Sequence, residues 1–149
     1  MEKLNLPSFD YNIREIEGKR SIFDVLRKKF VALTPEEWVR QHFVHLLINH
    51  YQYPKALMRI ETGLKYNQLN KRSDIMVYDR QGNPFLIVEC KSADVKVSEK
   101  TFSQASVYNS TIKARYVAVT NGLKTFCCLI NHVEGSFEFI KDIPSMDIS

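Results

Sequence analysis

Residues 74–91 read DIMVYDRQGNPFLIVECK. It falls on two apolar, β-rich segments, 73–79 and 84–91, separated by Arg80-Gln81-Gly82-Asn83, a turn signal. The two segments are expected to pair as an antiparallel hairpin. Pro84-Phe85-Leu86-Ile87-Val88 does not alternate between apolar and polar residues, which marks a strand covered on both faces and central in its sheet. Centring the turn on Gln81 and Gly82 sets Tyr78 opposite Phe85, Met76 opposite Ile87 and Asp74 opposite Glu89. Like charges directly opposed destabilise a sheet, so this register makes sense if a cation sits between the two acids. Lys91 lies two residues beyond Glu89 and so on the same face of the strand.

Two acids and a lysine at one place suit metal-assisted hydrolysis of a phosphodiester. Such a reaction needs hard oxygen ligands for Mg²⁺ and a cationic group near the attacking water or the developing charge. The competing reading is an edge strand beginning at Asp74, with Glu89 and Lys91 paired as a solvated stripe. The apolar run leading into Glu89 weighs against it.

Working outward, Thr34-Pro35-Glu36-Glu37 combines an N-cap, a proline at the first helical position and a glutamate three residues after the cap. A helix over 35–52 follows, ended by Pro54. Steps of roughly 100° place Val39, Phe43, Leu46 and Leu47 on an apolar face, and His42, His45 and Asn49 on a polar arc expected to be solvated. A strand is expected over 57–65. Ser98 caps a second helix over 99–113, and strands follow at 115–120, 124–130 and 136–140. Residues 11–33 read as a short hairpin around Glu17-Gly18-Lys19 leading into Phe30-Val31-Ala32-Leu33. The fold class is α/β: a central mixed sheet flanked by helices, in the order α-β-β-β-α-β, with extra strands at both ends. No repeat, low-complexity tract or linker interrupts it, so residues 1–149 are expected to form a single domain. Its core spans 34–122, with the hairpin extension at 11–33 and the C-terminal strands at 124–140.

The 149 residues are 44% hydrophobic and 26% charged, the balance of an ordinary globular domain, which rules out a disordered tail or a disulfide scaffold. Apolar runs such as Phe85 to Val88 fall far short of the roughly 18 residues a membrane span needs. Met1 to Pro7 lack a signal peptide's apolar stretch, so a cytoplasmic location is expected. A formal net charge of +4 permits a polyanionic partner without requiring one. Cys90, Cys127 and Cys128 read as buried thiols in a reducing compartment, since they and His132 lack the spacing of a zinc site. Charge runs such as Arg27-Lys28-Lys29 and 65–72 are usually solvated. Within the second, Lys71 and Arg72 are candidate phosphate contacts.

Four pieces in order carry a resemblance. They are Thr34-Pro35-Glu36-Glu37-Trp38-Val39-Arg40-Gln41, Arg72-Ser73-Asp74-Ile75, Val88-Glu89-Cys90-Lys91, and Gln104 with Tyr108 followed by Thr120-Asn121-Gly122. Over residues 34–122 the chain resembles the PD-(D/E)XK nuclease superfamily, and within it the N-terminal nuclease domain of the restriction subunit of type I restriction-modification enzymes. The resemblance implies a restriction-endonuclease-like core, Asp74 and Glu89 as metal ligands together with the Cys90 carbonyl, Lys91 as the catalytic lysine and Glu37 as the first-helix acid. Mg²⁺ or Mn²⁺ is the implied cofactor and DNA the implied substrate. Glu37 also has a local reading, as the capping-box residue reaching back to the Thr34 amide. Gln104 and Tyr108, four apart on one side of the second helix, fall on the family's Gln-X-X-X-Tyr motif and suit substrate contact. From pattern alone they are also an ordinary helix surface. No phosphate-binding Gly-X-X-X-X-Gly-Lys-Ser/Thr loop and no base-reading motif occurs, so translocation is not carried over. Specificity is expected from a separate specificity or motor subunit, a homodimer or DNA structure. The alternative function is a catalytically silent nucleic-acid-binding or assembly module that keeps the nuclease fold.

Overall fold

The computed structural model describes residues 1–61 and 74–146. An extended N-terminal segment leads into β1 (Ile13–Ile16), β2 (Lys19–Asp24) and β3 (Lys29–Ala32), which form an antiparallel sheet in that order. Glu17 and Gly18 make the turn between β1 and β2 at φ of 52° and 77°, the left-handed backbone a two-residue hairpin loop demands. The expected hairpin is thus present, with a third strand added to it.

Helix α1 (Pro35–Asn49) starts where the cap signals coincide, with Thr34 Oγ1 accepting from the Glu37 amide at 3.0 Å. Val39, Phe43 and Leu47 are buried, as the apolar face requires. On the opposite arc Asn49 is exposed as expected, but the two histidines are not solvated. His42 is buried with Nδ1 2.8 Å from the Trp38 carbonyl, and the His45 ring stacks on Phe9 at 4.3 Å. The N-terminal segment covers this side: Trp38 Nε1 donates to the Glu2 carbonyl, and Phe9 and Tyr11 pack against Trp38. Helical periodicity reports which residues share a face, and a chain segment some 30 residues away decides whether that face meets water.

A 3₁₀ turn (Lys55–Leu57) precedes β4 (Met58–Glu61), β5 (Asp74–Tyr78), β6 (Pro84–Cys90), α2 (Glu99–Ile112), β7 (Tyr116–Thr120), β8 (Thr125–Asn131) and β9 (Ser136–Ile140). Of the strands expected at 57–65 and 73–79, residues 62–65 and 73 lie outside the described residues. These six strands form one mixed sheet in chain order, antiparallel throughout except for β6 and β7, which run parallel with α2 as their crossover. Among the described residues the chain is therefore mixed α/β, with two helices, a three-stranded antiparallel sheet and a six-stranded mixed sheet.

Strand β6 is covered on both faces, as its unbroken apolar run implied. Leu86, Val88 and Cys90 join one core with Val39, Phe43 and Leu47 of α1. Ile87 joins a second core with Phe102 and Ala105 of α2. Among the described residues no helix is long and apolar enough to cross a membrane.

The hairpin reaches the expected register by an unexpected route. Asp79 N donates to the Asn83 carbonyl at 2.8 Å, and Gly82 sits at φ 86°, so the connection is a three-residue loop, Arg80-Gln81-Gly82. That loop sets Tyr78 opposite Pro84, not opposite Phe85 as expected. A bulge then absorbs one residue between Val77 and Tyr78, and from there Val77 meets Leu86, Met76 meets Ile87 and Ile75 meets Val88. The proline, which has no N–H to give the ladder, stands beside the irregularity.

Candidate active site

The C-terminal end of β6 gathers the candidate residues. Glu89 pairs with Val119 of β7 and is 4% exposed. The parallel ladder continues past Cys90, with Lys91 N donating to the Thr120 carbonyl at 2.9 Å. Lys91 Nζ stands 3.3 Å from Glu89 Oε1, and the side chains are 27% and 5% exposed. Glu89 is therefore not part of a solvated stripe. A buried carboxylate costs several kcal/mol in lost hydration, and the ion pair with the partly exposed lysine offsets some of it.

Strand β5 begins at Asp74, and its pairing with β6 runs from Ile75–Val88 to Tyr78–Pro84, so Asp74 stands one residue before the first β5–β6 pair, as Glu89 stands one residue after it. On its other side Asp74 pairs with Glu61 of β4. Glu61 and Asp74 are thus cross-strand partners, and Asp74 and Glu89 are the residues that flank the first β5–β6 pair. The described side chains do not include those of Glu61 and Asp74. Glu61 was missed in the sequence because a strand expected to run to residue 65 supplies no register for it.

Glu37 lies on α1, the helix that packs on the other face of the sheet, and its carboxylate does not reach back to its cap. Thr34 N donates to the Ala32 carbonyl, while Glu37 Oε1 accepts from Arg40 Nη1 at 2.8 Å and Arg27 Nη2 at 2.9 Å, and Oε2 accepts from Gln41 Nε2 at 2.9 Å. Only the Thr34 half of the capping box forms. Arg27 is delivered by the β2–β3 turn, where the buried Asp24 carboxylate accepts from the Arg27 side chain and from the amides of Leu26 and Arg27. Burial works against the Arg40 charge, but Cys90 and the Glu37 and Glu36 carboxylates outweigh it and hold its pKa above the ordinary arginine value. The spacing of Glu36, Glu37, Arg40 and Gln41 at i+3 and i+4 was the available signal for this cluster.

Gln104 and Tyr108 lie four residues apart on α2, and their side chains are outside the description. Lys71 and Arg72 lie outside the described residues altogether. Thr120-Asn121-Gly122 is a structural brace: Asn121 Oδ1 accepts from the amides of Leu123 and Lys124, and Asn121 Nδ2 donates to Val95 O at 2.9 Å. That bond ties the loop following Lys91 to the end of β7.

The three cysteines are buried and form no disulfide. Burial pushes the Cys127 thiol up to about 12 and that of Cys128 up to about 11, and His132 Nε2 lies 2.8 Å from the Ala114 carbonyl. Among the described side chains, no three of His, Cys, Asp and Glu gather as a metal-binding group.

The elements define a mixed α/β protein in which a glutamate and a lysine meet at the end of a doubly covered strand. Residues 35–144 match the family model of the type I restriction enzyme R protein N terminus (HSDR_N), and the chain belongs to that family. The match takes in β8 and β9 and leaves out the three-stranded sheet of β1 to β3. None of the curated proteins compared with the chain matches it.

Proposed function

We propose that the chain is a Mg²⁺-dependent nuclease domain with a restriction-endonuclease-like core, hydrolysing DNA phosphodiester bonds. The observation that carries this reading is the Lys91 ammonium 3.3 Å from the buried Glu89 carboxylate, on a strand paired with the one that Asp74 begins. The donor set of Asp74, Glu89 and the Cys90 carbonyl is all hard oxygen, which fits Mg²⁺ or Mn²⁺. When bound, such an ion supplies Lewis-acid activation of water and of a phosphoryl oxygen.

Lys91 orients the attacking water or stabilises charge at the phosphorus. Glu37, with both oxygens engaged, serves as a positioning residue that holds Arg40 near Cys90. Gln104, Tyr108, Lys71 and Arg72 contact the substrate strand. DNA is the partner, delivered by a separate specificity or motor subunit or by a second copy of the chain, in the cytoplasm.

Purified protein incubated with plasmid and single-stranded DNA in Mg²⁺ or Mn²⁺ tests the reading. Cleavage is expected, and Lys91→Ala is expected to abolish it. Undiminished cleavage by Lys91→Ala overturns the mechanism. If no metal condition yields cleavage while DNA binding survives replacement of both Asp74 and Glu89, the chain is a silent nucleic-acid-binding module.

A further inference from the structure

Helix α2 covers only part of its face of the six-stranded sheet. Towards β8 and β9 three phenylalanines stand in the open on that face: Phe126 is 41% exposed, Phe137 53% and Phe139 54%. Their rings approach one another edge-on or tilted, with Phe137 to Phe139 at 5.6 Å and Phe126 to Phe139 at 6.4 Å. The buried Phe102 of α2 backs Phe137 and Phe139. Between the start of α2 and these strands lies a cleft of about 500 Å³, lined by Val97, Phe102, Phe126, Phe139 and Lys141 among others.

The ladder fixes where this patch lies. Glu89 pairs with Val119, and Val119 pairs with Phe126, so Glu89, Val119 and Phe126 form one row on one face. Two strand spacings separate Glu89 from Phe126, about 10 Å. Lys91 stands at one end of this path, and Lys141 lines the cleft at the other. Lys91, paired with Glu89, and Lys141, which shares the cleft with Glu99, bracket the exposed rings, and rings between two lysines suit a chain that alternates anionic links with flat apolar groups. Bases in a duplex are stacked on their neighbours and do not offer their faces. Bases in a single strand do.

We propose that Phe126 and Phe139 seat unstacked bases of a single nucleic-acid strand whose backbone passes Glu89 and Lys91, so that the substrate is single-stranded or locally opened DNA. The placement of the backbone rests on the nuclease reading. The seat itself rests on the aromatic cleft.

The test is binding of a fluorescent single-stranded oligothymidine and of a blunt duplex of equal length to the full chain in EDTA, where no cleavage intervenes. The single strand is expected to bind more tightly. Phe126→Ala and Phe139→Ala are each expected to weaken it by about fivefold or more, with duplex binding unchanged. Phe126→Trp, which keeps a stacking face, is expected to restore it. Equal losses for both DNA forms, or no loss, overturn the seat. So does a sedimentation coefficient that falls in the alanine variants while DNA binding is untouched, because a second copy then covers the rings. If the base seat behaves as expected but the wild type never cleaves in Mg²⁺ or Mn²⁺, the nuclease reading fails and the seat stands.

Discussion

Arg40 Nη1 lies 2.8 Å from Glu37 Oε1 with both side chains almost wholly buried, and Arg40 Nη2 reaches Glu36 Oε2 at 2.8 Å. Arg27 and Gln41 complete the shell around the Glu37 carboxylate. Removing Arg40 leaves the buried Glu37 carboxylate with only Arg27 and Gln41 and empties the space of a buried side chain. Arg40→Ala is therefore expected to destabilise the protein by about 3 kcal/mol or more. Replacing Glu36, whose side chain is 38% exposed, is expected to cost well under 1 kcal/mol. Urea unfolding curves of the two variants check the contrast, and equal midpoints would show that the buried pair contributes no more than the exposed one.

Gly122 adopts φ 84°, and a Cβ placed there would meet Leu4 side-chain carbons at 2.8 and 2.9 Å. Gly82 adopts nearly the same backbone, φ 86°, with open space around it. Alanine at Gly82 thus carries only the left-handed strain, about 1 kcal/mol. At Gly122 it also forces the buried Leu4 side chain to shift, next to the Asn5 amide that donates to the Gly122 carbonyl. Gly122→Ala is expected to lower the melting temperature more than Gly82→Ala, and combining it with Leu4→Ala is expected not to double the loss, since the two share one contact.

His42 supplies a pH dependence. Burial lowers its pKa below the usual 6.5, with the hydrogen bond to the Trp38 carbonyl opposing in part, and burial lowers that of His45 as well. Above about pH 6.5 both folded and unfolded histidines are neutral and the shift contributes nothing. As pH falls through 6.5 the unfolded chain takes up a proton that the folded one refuses, so stability is lost, and the loss levels off below the folded pKa. Melting temperatures at pH 7.5 and 5.5 should differ more in the wild type than in His42→Gln. An identical drop in both would remove His42 from the account.

Much of the fold was legible because its signals are local. The cap at Thr34, the turn residues at 80–83 and the apolar run at 84–88 each act within a few residues of the element they define. What escaped was decided at long range. The loop at Arg80-Gln81-Gly82 has three residues where two were expected, and the bulge at Phe85 cancels the error, so Met76 still meets Ile87. His42 and His45 were assigned to water because nothing in α1 announces that Phe9 will cover them. In the site, Glu89 and Lys91 follow from strand alternation alone, whereas the partnering of Glu61 with Asp74 needs the pairing of β4 with β5.

Gln104 separates handling of substrate from handling of metal. In the proposed nuclease its amide serves the DNA, so Gln104→Ala is expected to reduce cleavage while leaving Mn²⁺ affinity nearly unchanged. Alanine is the best helix former, so α2 should persist. Cleavage rates and Mn²⁺ titrations on the same preparation check this. Parallel loss of both would place Gln104 with the metal instead of the substrate.

The proposed sharing of one ion by Asp74 and Glu89 makes a thermal prediction. In the proposed site the Asp74 and Glu89 carboxylates repel, and Lys91 beside Glu89 offsets only part of that, so a divalent ion should relieve the remainder and bind the folded form alone. Such binding stabilises by RT ln(1 + [L]/Kd), about 2.7 kcal/mol at a hundredfold excess over Kd. Mn²⁺ is therefore expected to raise the melting temperature of the wild type. Asp74→Asn removes one of the two charges, so the metal-free variant is expected to be no less stable than the wild type, yet to gain much less from Mn²⁺. Both changes must occur together. A variant that is weaker without metal but gains as much from it would mean that Asp74 supports the strand, and that the ion binds elsewhere.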